Sequence, residues 1–194
     1  MSAPSQTLLA HAVWPEHRAT LARAALLALA GTALLTLSAK IQVPFWPVPM
    51  TMQSYVVLLI GATLGARLGA ATVLLYLAEG ALGLPVFAGT PEKGLGLAYM
   101  MGPTGGYLVG FVAAAYLVGL LAERGWDRSI VRLLAAMAMG HAVIFAFGVA
   151  WLGQLVGLEK AWLLGVVPFF AATAFKTALG AVTLPAVWAL FTRR

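Results

Sequence analysis

Lys176 is the residue whose chemistry most needs an explanation, because it lies inside the apolar stretch 161–191. No other charged residue occurs between Lys160 and Arg193. An ammonium at the centre of a bilayer costs about 2.5–3.5 kcal/mol on insertion scales, so it requires a partner, water or a ligand. Lys176 therefore either snorkels or pairs within the protein, or it faces a cavity and binds an anion.

Glu79 is the acidic residue that could pair with this lysine. It lies about five residues from the end of the third apolar segment, or ~8 Å at 1.5 Å per residue. Lys176 follows Pro168 by eight residues, or ~12 Å if a regular helix begins at that proline. We expect both side chains at similar depth, and an ion pair between them stays open beside the anion-binding interpretation.

Four further polar residues lie at the same end of the apolar segments. Thr51 and Gln53 begin the second segment, and the turn GPTGGY at 102–107 places Thr104 and Tyr107 at the start of the fourth. Taken singly, Gln53 or Tyr107 is typical of interhelical hydrogen bonding or of the interfacial aromatic belt. Taken together with Lys176, these residues indicate a small-molecule site with apolar walls, few polar groups and one cation.

Catalytic chemistry finds little support. The sequence contains no HExxH or GxSxG motif, no cysteine, and three histidines, of which we interpret His141 as a packed or hydrogen-bonded helix residue. The segment GTPEKG at 89–94 has Walker-like glycine spacing, but Leu95 stands where that motif requires lysine. We therefore expect that the chain is not an enzyme, does not hydrolyse ATP itself, and carries no metal or cofactor.

The composition defines the class of protein that must position these residues. The 194 residues are 62% hydrophobic and 9% charged, with a mean hydropathy of +0.94, whereas soluble domains carry roughly 25% charged residues. We expect one integral membrane domain. The net charge of +6 is better explained by membrane topology than by nucleic-acid binding, because no basic run with interleaved aromatic residues occurs.

Six apolar segments predict an all-α integral membrane protein, a six-transmembrane-helix bundle. They span approximately 20–39, 52–65, 68–84, 106–121, 130–152 and 162–191. The second and third segments are separated by few residues, so continuous apolar length also allows five spans with one broken helix. We prefer six, because Arg67 between Gly65 and Gly69 is typical of a tight turn at a membrane surface.

The charged residues predict the orientation of this bundle. With six spans and a cytoplasmic N-terminus, Lys40, Lys93 and Lys160 lie outside and every arginine lies inside, which is the positive-inside pattern. Both termini are then cytoplasmic. Residues 1–19 are interpreted as a cytoplasmic tail rather than a cleavable signal peptide, and residues 20–194 as the membrane domain.

Two loops on the predicted outer face indicate a pocket. The first, 40–50, has three prolines within six residues and should be stiff and extended. The second, 84–106, is rich in glycine yet apolar, and should fold back onto the bundle because irregular backbone at membrane depth needs cover. Its large apolar side chains are Val86, Phe87, Leu95, Leu97, Met100 and Met101. These loops either close a lidded pocket or merely seal the end of the bundle.

Four motifs, in this order, resemble the BioY family. They are PFWPVPMTMQS at 44–54, YLAEGALGLPVFAG at 76–89, GPTGGYLVGF at 102–111 and PFFAATAFKTALGA at 168–181, and the resemblance covers roughly 21–190. Members of that family are biotin-binding S components of energy-coupling factor (ECF) transporters. The resemblance implies a high-affinity biotin-binding subunit for uptake across the bacterial inner membrane, loaded from the outside. It implies a T component and cytoplasmic ATPases as partners.

The resemblance also suggests roles for the candidate residues. Lys176 is the embedded cation available for the biotin carboxylate, although its ammonium could equally donate to the ureido oxygen. The residues suggested for the ureido group are Gln53, Thr104, Tyr107 and Glu79. Those suggested to cover the ring are Phe45, Val86 and Phe87. In the first span, Ala24 and Ala28 form a small-xxx-small face, interpreted either as the docking surface for the T component or as packing within the bundle.

One position departs from the family pattern. Many members carry a carboxylate one helical turn before the final lysine, whereas this chain has Thr173 there. Thr173 can form hydrogen bonds but cannot neutralise Lys176, so either Glu79 or the bound carboxylate supplies the counter-charge. A facilitator or secondary transporter working without ATPases, and a non-transporting membrane scaffold, remain alternatives.

Overall fold

The computed structural model describes residues 21–43 and 46–192. The predicted tail 1–19, Phe45 and the last two arginines lie outside the described residues. The elements, in chain order, are α1 Leu21–Lys40, β1 Gln42–Val43, β2 Met50–Thr51, α2 Gln53–Ala81, α3 Gly96–Met100, α4 Gly105–Ala122, α5 Ile130–Val156, α6 Leu158–Gly165 and α7 Phe170–Thr192. Short 3-10 turns, Trp126–Arg128 and Val167–Phe169, precede α5 and α7.

Within the described residues, five helical stretches are long and apolar enough to cross a membrane. They are Leu21–Lys40, Gln53–Ala81, Gly105–Ala122, Ile130–Val156 and Leu158–Ala189. The structure therefore confirms a helical membrane protein. It also shows that the predicted sixth segment is not one regular α-helix. A 3-10 turn at Val167–Phe169 separates α6 from α7, and Pro168 within this turn lacks a backbone N–H.

The helix α2 folds back on itself at Gly65, so its two halves run side by side. Gly65 has φ 83° and ψ 178°, a conformation that a side chain disfavours. A Cβ on Gly69 would lie 2.9 Å from the Cα of Gly61. Gln53 Nε2 donates to the hydroxyl of Tyr76 over 2.6 Å, whereas a straight helix would separate these residues by ~34 Å. The tight turn that the glycines around Arg67 predict is therefore present, centred on Gly65.

The fold-back is held by α4. A Cβ on Gly119 would lie 2.7 Å from the Cα of Ala66, so the absence of a side chain permits this close approach. The break at Gly65 frees the backbone N–H of Ala66, which donates to Glu123 Oε1 over 2.8 Å. A side-chain oxygen thus satisfies a donor at the start of the second half, as at other helix N-termini.

At the same end of the bundle, the turn Trp126–Arg128 is attached to α7. Trp188 Nε1 donates to Asp127 Oδ2 over 2.6 Å, and the guanidinium carbon of Arg128 lies 4.7 Å from the centre of a Trp188 ring. Burial raises the pKa of Asp127, against the hydrogen bond from Trp188, which lowers it. These contacts fix the far end of α7 relative to α5.

The opposite end carries the two unusual loops. The first contains an antiparallel pair of two-residue strands, in which Gln42 pairs with Thr51 and Val43 with Met50. From the sequence we predicted only a stiff, extended segment. The second does fold back: Val86, Phe87 and Tyr99 are buried. Its apolar surface is only partly covered within the chain, however, since Leu95, Leu97 and Met101 are exposed.

Candidate functional site

A cavity lies between these two loops and the helices α2, α4, α5 and α7. It encloses about 590 Å³ of space not filled by protein atoms, part of it open to the surroundings. Apolar side chains such as Leu108, Phe111 and Phe169 form much of its wall. Six predicted site residues also line it: Thr51, Gln53, Thr104, Tyr107, Thr173 and Lys176. The fold thus brings together, around one largely apolar cavity, residues that are far apart in sequence.

Lys176 lies one and a half turns into α7, with only 5% of its surface exposed. Its Nζ donates to the backbone oxygen of Thr51 over 3.1 Å and to Ser54 Oγ over 2.9 Å. Both acceptors are neutral. The ammonium is held at the start of α2 by hydrogen bonds, and none of the described acidic side chains forms an ion pair with it.

A second cavity also reaches Lys176 and contains about 490 Å³ of space not filled by protein atoms, part of it open to the surroundings. It is lined by hairpin residues such as Gln42 and by Phe175 of α7, and it shares Thr51 and Lys176 with the first cavity. Lys176 therefore lines both cavities, and its ammonium has three donors, of which two are used by Thr51 and Ser54.

Gln53 connects the cavity wall to the second loop. Its Nε2 donates to the hydroxyl of Tyr76 over 2.6 Å, and that hydroxyl donates to the Val86 carbonyl oxygen over 2.9 Å. Thr51 Oγ1 accepts from the Gln53 backbone N–H over 3.2 Å, at the start of α2. The carboxamide of Gln53 thus already uses a donor within the protein, and its remaining hydrogen-bond capacity is what a ligand could use.

Tyr107 and Thr104 line the cavity from the start of α4. The Tyr107 hydroxyl donates to the Gly165 carbonyl oxygen over 2.9 Å, so its proton is already used within the protein. Thr104 directly precedes α4. Next to them, Trp151 Nε1 donates to the Gly102 carbonyl oxygen over 2.9 Å and fixes the turn that delivers both residues.

Three of the described residues that the sequence suggested for the site do not line the cavity, namely Glu79, Val86 and Phe87. Phe87 is 1% exposed and is stacked on Tyr99 at 5.0 Å and edge-on to Tyr76 at 5.4 Å. It supports the cavity from behind Tyr99. Glu79 is half-buried near the end of α2, and the partners of Lys176 are Thr51 and Ser54 instead. The pairing of Glu79 with Lys176 is therefore not formed.

Lys40 connects the first helix to the second loop. Its Nζ donates to the carbonyl oxygens of Phe87 and Thr90, each over 3.1 Å, and to Thr90 Oγ1 over 3.2 Å. These contacts use all three ammonium donors. These hydrogen bonds from α1 hold in place the segment Phe87–Thr90, which contains the cavity residue Ala88.

His141, Tyr99 and Ser54 also line the cavity, although none of them was a predicted site residue. The interpretation of His141 as a packed or hydrogen-bonded helix residue is confirmed, since it is buried and its Nδ1 lies 3.0 Å from the Met137 carbonyl oxygen. Burial raises the pKa of Tyr99, and its neutral hydroxyl donates to the Ala88 carbonyl oxygen over 2.8 Å. Ser54 follows Gln53 directly, so a helix beginning there could have suggested it. His141 had a weaker signal, namely a polar residue in the middle of an apolar helix.

The predicted docking face on α1 has two different environments. Ala28 is buried within the chain and Ala24 is half-buried. Leu26 and Leu29 are exposed instead. Packing within the bundle thus accounts for Ala28.

The fold and the cavity define a class: a helical membrane protein with a largely apolar cavity beneath two loops and the buried cation of Lys176 in its wall. Residues 9–193 match the BioY family, and the chain belongs to that family. A probable biotin transporter BioY of Pyrococcus horikoshii is 41% identical over 150 residues, which cover 77% of this chain and 86% of that protein. The biotin transporter BioY of Thermotoga maritima is 43% identical over 139 residues, 71% of this chain and 79% of the relative.

The fold is also similar to that of a solved structure. The crystal structure at 2.1 Å of the S-component for biotin from an ECF-type ABC transporter superimposes with a TM-score of 0.74. The match covers 87% of this chain and 92% of the other, at 23% sequence identity. At this identity the similarity concerns the fold.

Proposed function

We propose that this chain is the biotin-binding membrane subunit of a biotin uptake system. The observation that carries the proposal is the loop-covered cavity with the buried ammonium of Lys176 in its wall. The names of the Pyrococcus and Thermotoga relatives support biotin as the ligand. Site residues proposed for this ligand are Lys176, Gln53, Thr51, Thr104, Tyr107 and Thr173.

The chemistry of the cavity suits biotin. Biotin has an apolar bicyclic ring, a ureido group that both donates and accepts hydrogen bonds, and a valerate carboxylate. Leu108, Phe111 and Phe169 supply apolar wall for the ring and the valerate chain. Lys176 supplies the positive charge that a carboxylate needs in a cavity with largely apolar walls. Because its present acceptors are neutral, binding the carboxylate would neutralise this charge.

We propose six membrane crossings with both termini in the cytoplasm and with the two loops outside. The reversal of α2 at Gly65 supports this arrangement, since its halves run side by side and count as two short crossings. Arg67, Arg124 and Arg128 then lie on the cytoplasmic side and Lys40 and Lys93 outside. Residues 20–194 form the membrane domain and 1–19 its cytoplasmic tail. The protein is a multi-pass protein of the cell membrane, and the cavity is loaded from outside.

The energy for uptake comes, in this proposal, from an ECF T component and ATPases rather than from this chain. The fold similarity to an S-component from an ECF-type transporter supports such partners. The partly exposed helix α1, with Ala24 and its exposed leucines, is one surface available for the T component. A facilitator that works without ATPases is the alternative.

Uptake of radiolabelled biotin tests this proposal. Cells that lack their own biotin transport would express the chain alone, or with a T component and ATPases, or with ATPases inactivated in their nucleotide site. We expect accumulation only with active ATPases. Equal accumulation by the chain alone would instead establish the facilitator, and no uptake together with no biotin binding would refute the proposed function.

A further inference from the structure

The second cavity, beside the paired strands β1 and β2, has no role in the proposed function. Five of the eight residues that line it are apolar, namely Ile41, Met50, Met52, Ala172 and Phe175. Lys176, the charged residue of its wall, already donates to Thr51 and Ser54. What this cavity offers to an occupant is therefore mostly hydrocarbon surface, which suits an apolar group better than a polar one.

The mouth of the second cavity lies on the surface that the bilayer covers. Ile41 and Phe175 both line the cavity, and each is 65% exposed. Phe175 belongs to α7, which is part of the candidate span Leu158–Ala189. Other large apolar side chains are exposed along the same helix, namely Phe170, Leu179 and Val182. Exposed apolar side chains along a membrane span face lipid, so the cavity is continuous with the lipid-facing surface.

The second cavity is also far from the surface proposed for a protein partner. Ile41 directly follows α1 at the loop-covered end of the bundle. Ala24, on the face proposed for the T component, lies ~24 Å from Lys40 along the same helix at 1.5 Å per residue. The neighbour of the cavity is thus the hydrocarbon of the leaflet on the loop side. A void beside fluid chains forfeits dispersion contacts that a flexible chain restores by entering it.

We propose that an acyl chain of a phospholipid in the leaflet on the loop side occupies the second cavity, between the paired strands and α7. The chain lies against Ile41 and Phe175 at the mouth and reaches Met50 and Met52, which are half-buried. This lipid site does not depend on biotin as the ligand of the first cavity. With the second cavity filled by lipid, the first cavity is the space from which a water-borne ligand meets Lys176.

Photo-crosslinking from a phosphatidylcholine with a diazirine in one acyl chain tests this site. The purified chain is placed in phosphatidylcholine nanodiscs that contain a small share of this probe, irradiated, and mapped by mass spectrometry. We expect adducts on Met50 and Met52, which a lipid that covers only the outside of the bundle does not reach. Adducts on the exposed Val182 report general lipid contact and normalise the yield. Labelling of Val182 without labelling of the two methionines overturns the inference.

A filled cavity provides the second test. Ala172 is the smallest residue of the wall, so Ala172→Phe should fill space and lower the adducts on Met50 and Met52 by ~5-fold or more relative to those on Val182. The matched control, Ala178→Phe, places the same ring at an exposed position of α7 outside the cavity and should leave them unchanged.

A second blocking variant keeps the test decisive if Ala172→Phe does not fold, which size-exclusion and thermal unfolding profiles reveal. Ile41→Trp enlarges an exposed side chain at the mouth and should lower the same adducts. Unchanged adducts on the two methionines in a folded blocking variant overturn the inference. Biotin binding by the wild-type nanodiscs is a separate readout, since its failure refutes the proposed function and leaves the lipid site standing.

Discussion

Lys176 donates to a backbone carbonyl oxygen and to a serine hydroxyl, and neither group is charged. Such acceptors satisfy the ammonium's hydrogen bonds but not its charge. Thr173 adds only a hydroxyl to the same wall. An anionic ligand group can therefore gain more from this lysine than from one that is already paired with a carboxylate.

The first prediction concerns a single side chain, the carboxylate of Glu79. It does not line the cavity and does not contact Lys176, so Glu79→Gln should leave biotin affinity within ~2-fold of wild type, as for a surface substitution away from the site. Titration of the purified variant with biotin measures this. A loss of ten-fold or more, with the protein still folded, would show that the carboxylate takes part in recognition after all.

The polar residues of the candidate site were easier to predict from sequence than its aromatic residues. Lys176, Gln53 and Thr104 were identified because polar groups near the loop end of apolar helices are costly unless they have a function. Phe87 was predicted to cover the ligand, but it stacks on Tyr99 and is not among the residues that line the cavity. An apolar loop residue can either face a ligand or stack behind another ring, and sequence does not distinguish these. His141 was interpreted as a packed or hydrogen-bonded helix residue, and it is buried with its Nδ1 3.0 Å from the Met137 carbonyl oxygen and 3.0 Å from Thr177 Oγ1. That it also lines the cavity depends on how α5 packs, which its sequence does not show.

Among the elements, the turn in α2 is predicted by nearby residues but stabilised by residues far away in the sequence. Gly65, Arg67 and Gly69 predict a turn from local chemistry alone. The turn is stabilised from elsewhere, by the carboxylate of Glu123 and by the missing side chain of Gly119. The hairpin of β1 and β2 was not predicted, because its two-residue strands carry too little periodicity to be recognised.

The hydrogen bonds between Lys40 of α1 and the second loop give a prediction about how these two elements are held together. Lys40→Met keeps the length of the side chain but removes three hydrogen bonds to the segment Phe87–Thr90. We expect the loop to open more often and biotin to dissociate ~3–10-fold faster. The effect is modest because the hydrogen bonds of Lys40 are only partly buried. A chase of bound radiolabelled biotin with unlabelled biotin measures the rate.

Lys93 provides the matched control for this change. It lies in the same loop and is exposed, so Lys93→Met should leave the dissociation rate unchanged. If Lys40→Met and Lys93→Met dissociate at the same rate as wild type, the contacts of Lys40 do not hold the loop over the cavity.

For the whole molecule, the proposed six crossings can be tested because the chain has no cysteine. Arg67, Lys93 and Arg124 are exposed positions in three different connections, and each can be replaced singly by cysteine. A membrane-impermeant maleimide should label Lys93→Cys in intact cells, but Arg67→Cys and Arg124→Cys only after permeabilisation, because impermeant reagents reach only the outer face. Labelling of Arg67→Cys in intact cells would contradict the reversal of α2 as two crossings.

The central claim is that the cavity binds biotin through the buried charge of Lys176. Titration of the purified chain with biotin, by calorimetry, tests it most directly when wild type is compared with Lys176→Met and with the exposed control Lys160→Met. We predict saturable one-to-one binding by wild type and by the control, and a ~10–100-fold loss in folded Lys176→Met, the range for a buried hydrogen bond to a charged group. Unchanged affinity in folded Lys176→Met would contradict the claim.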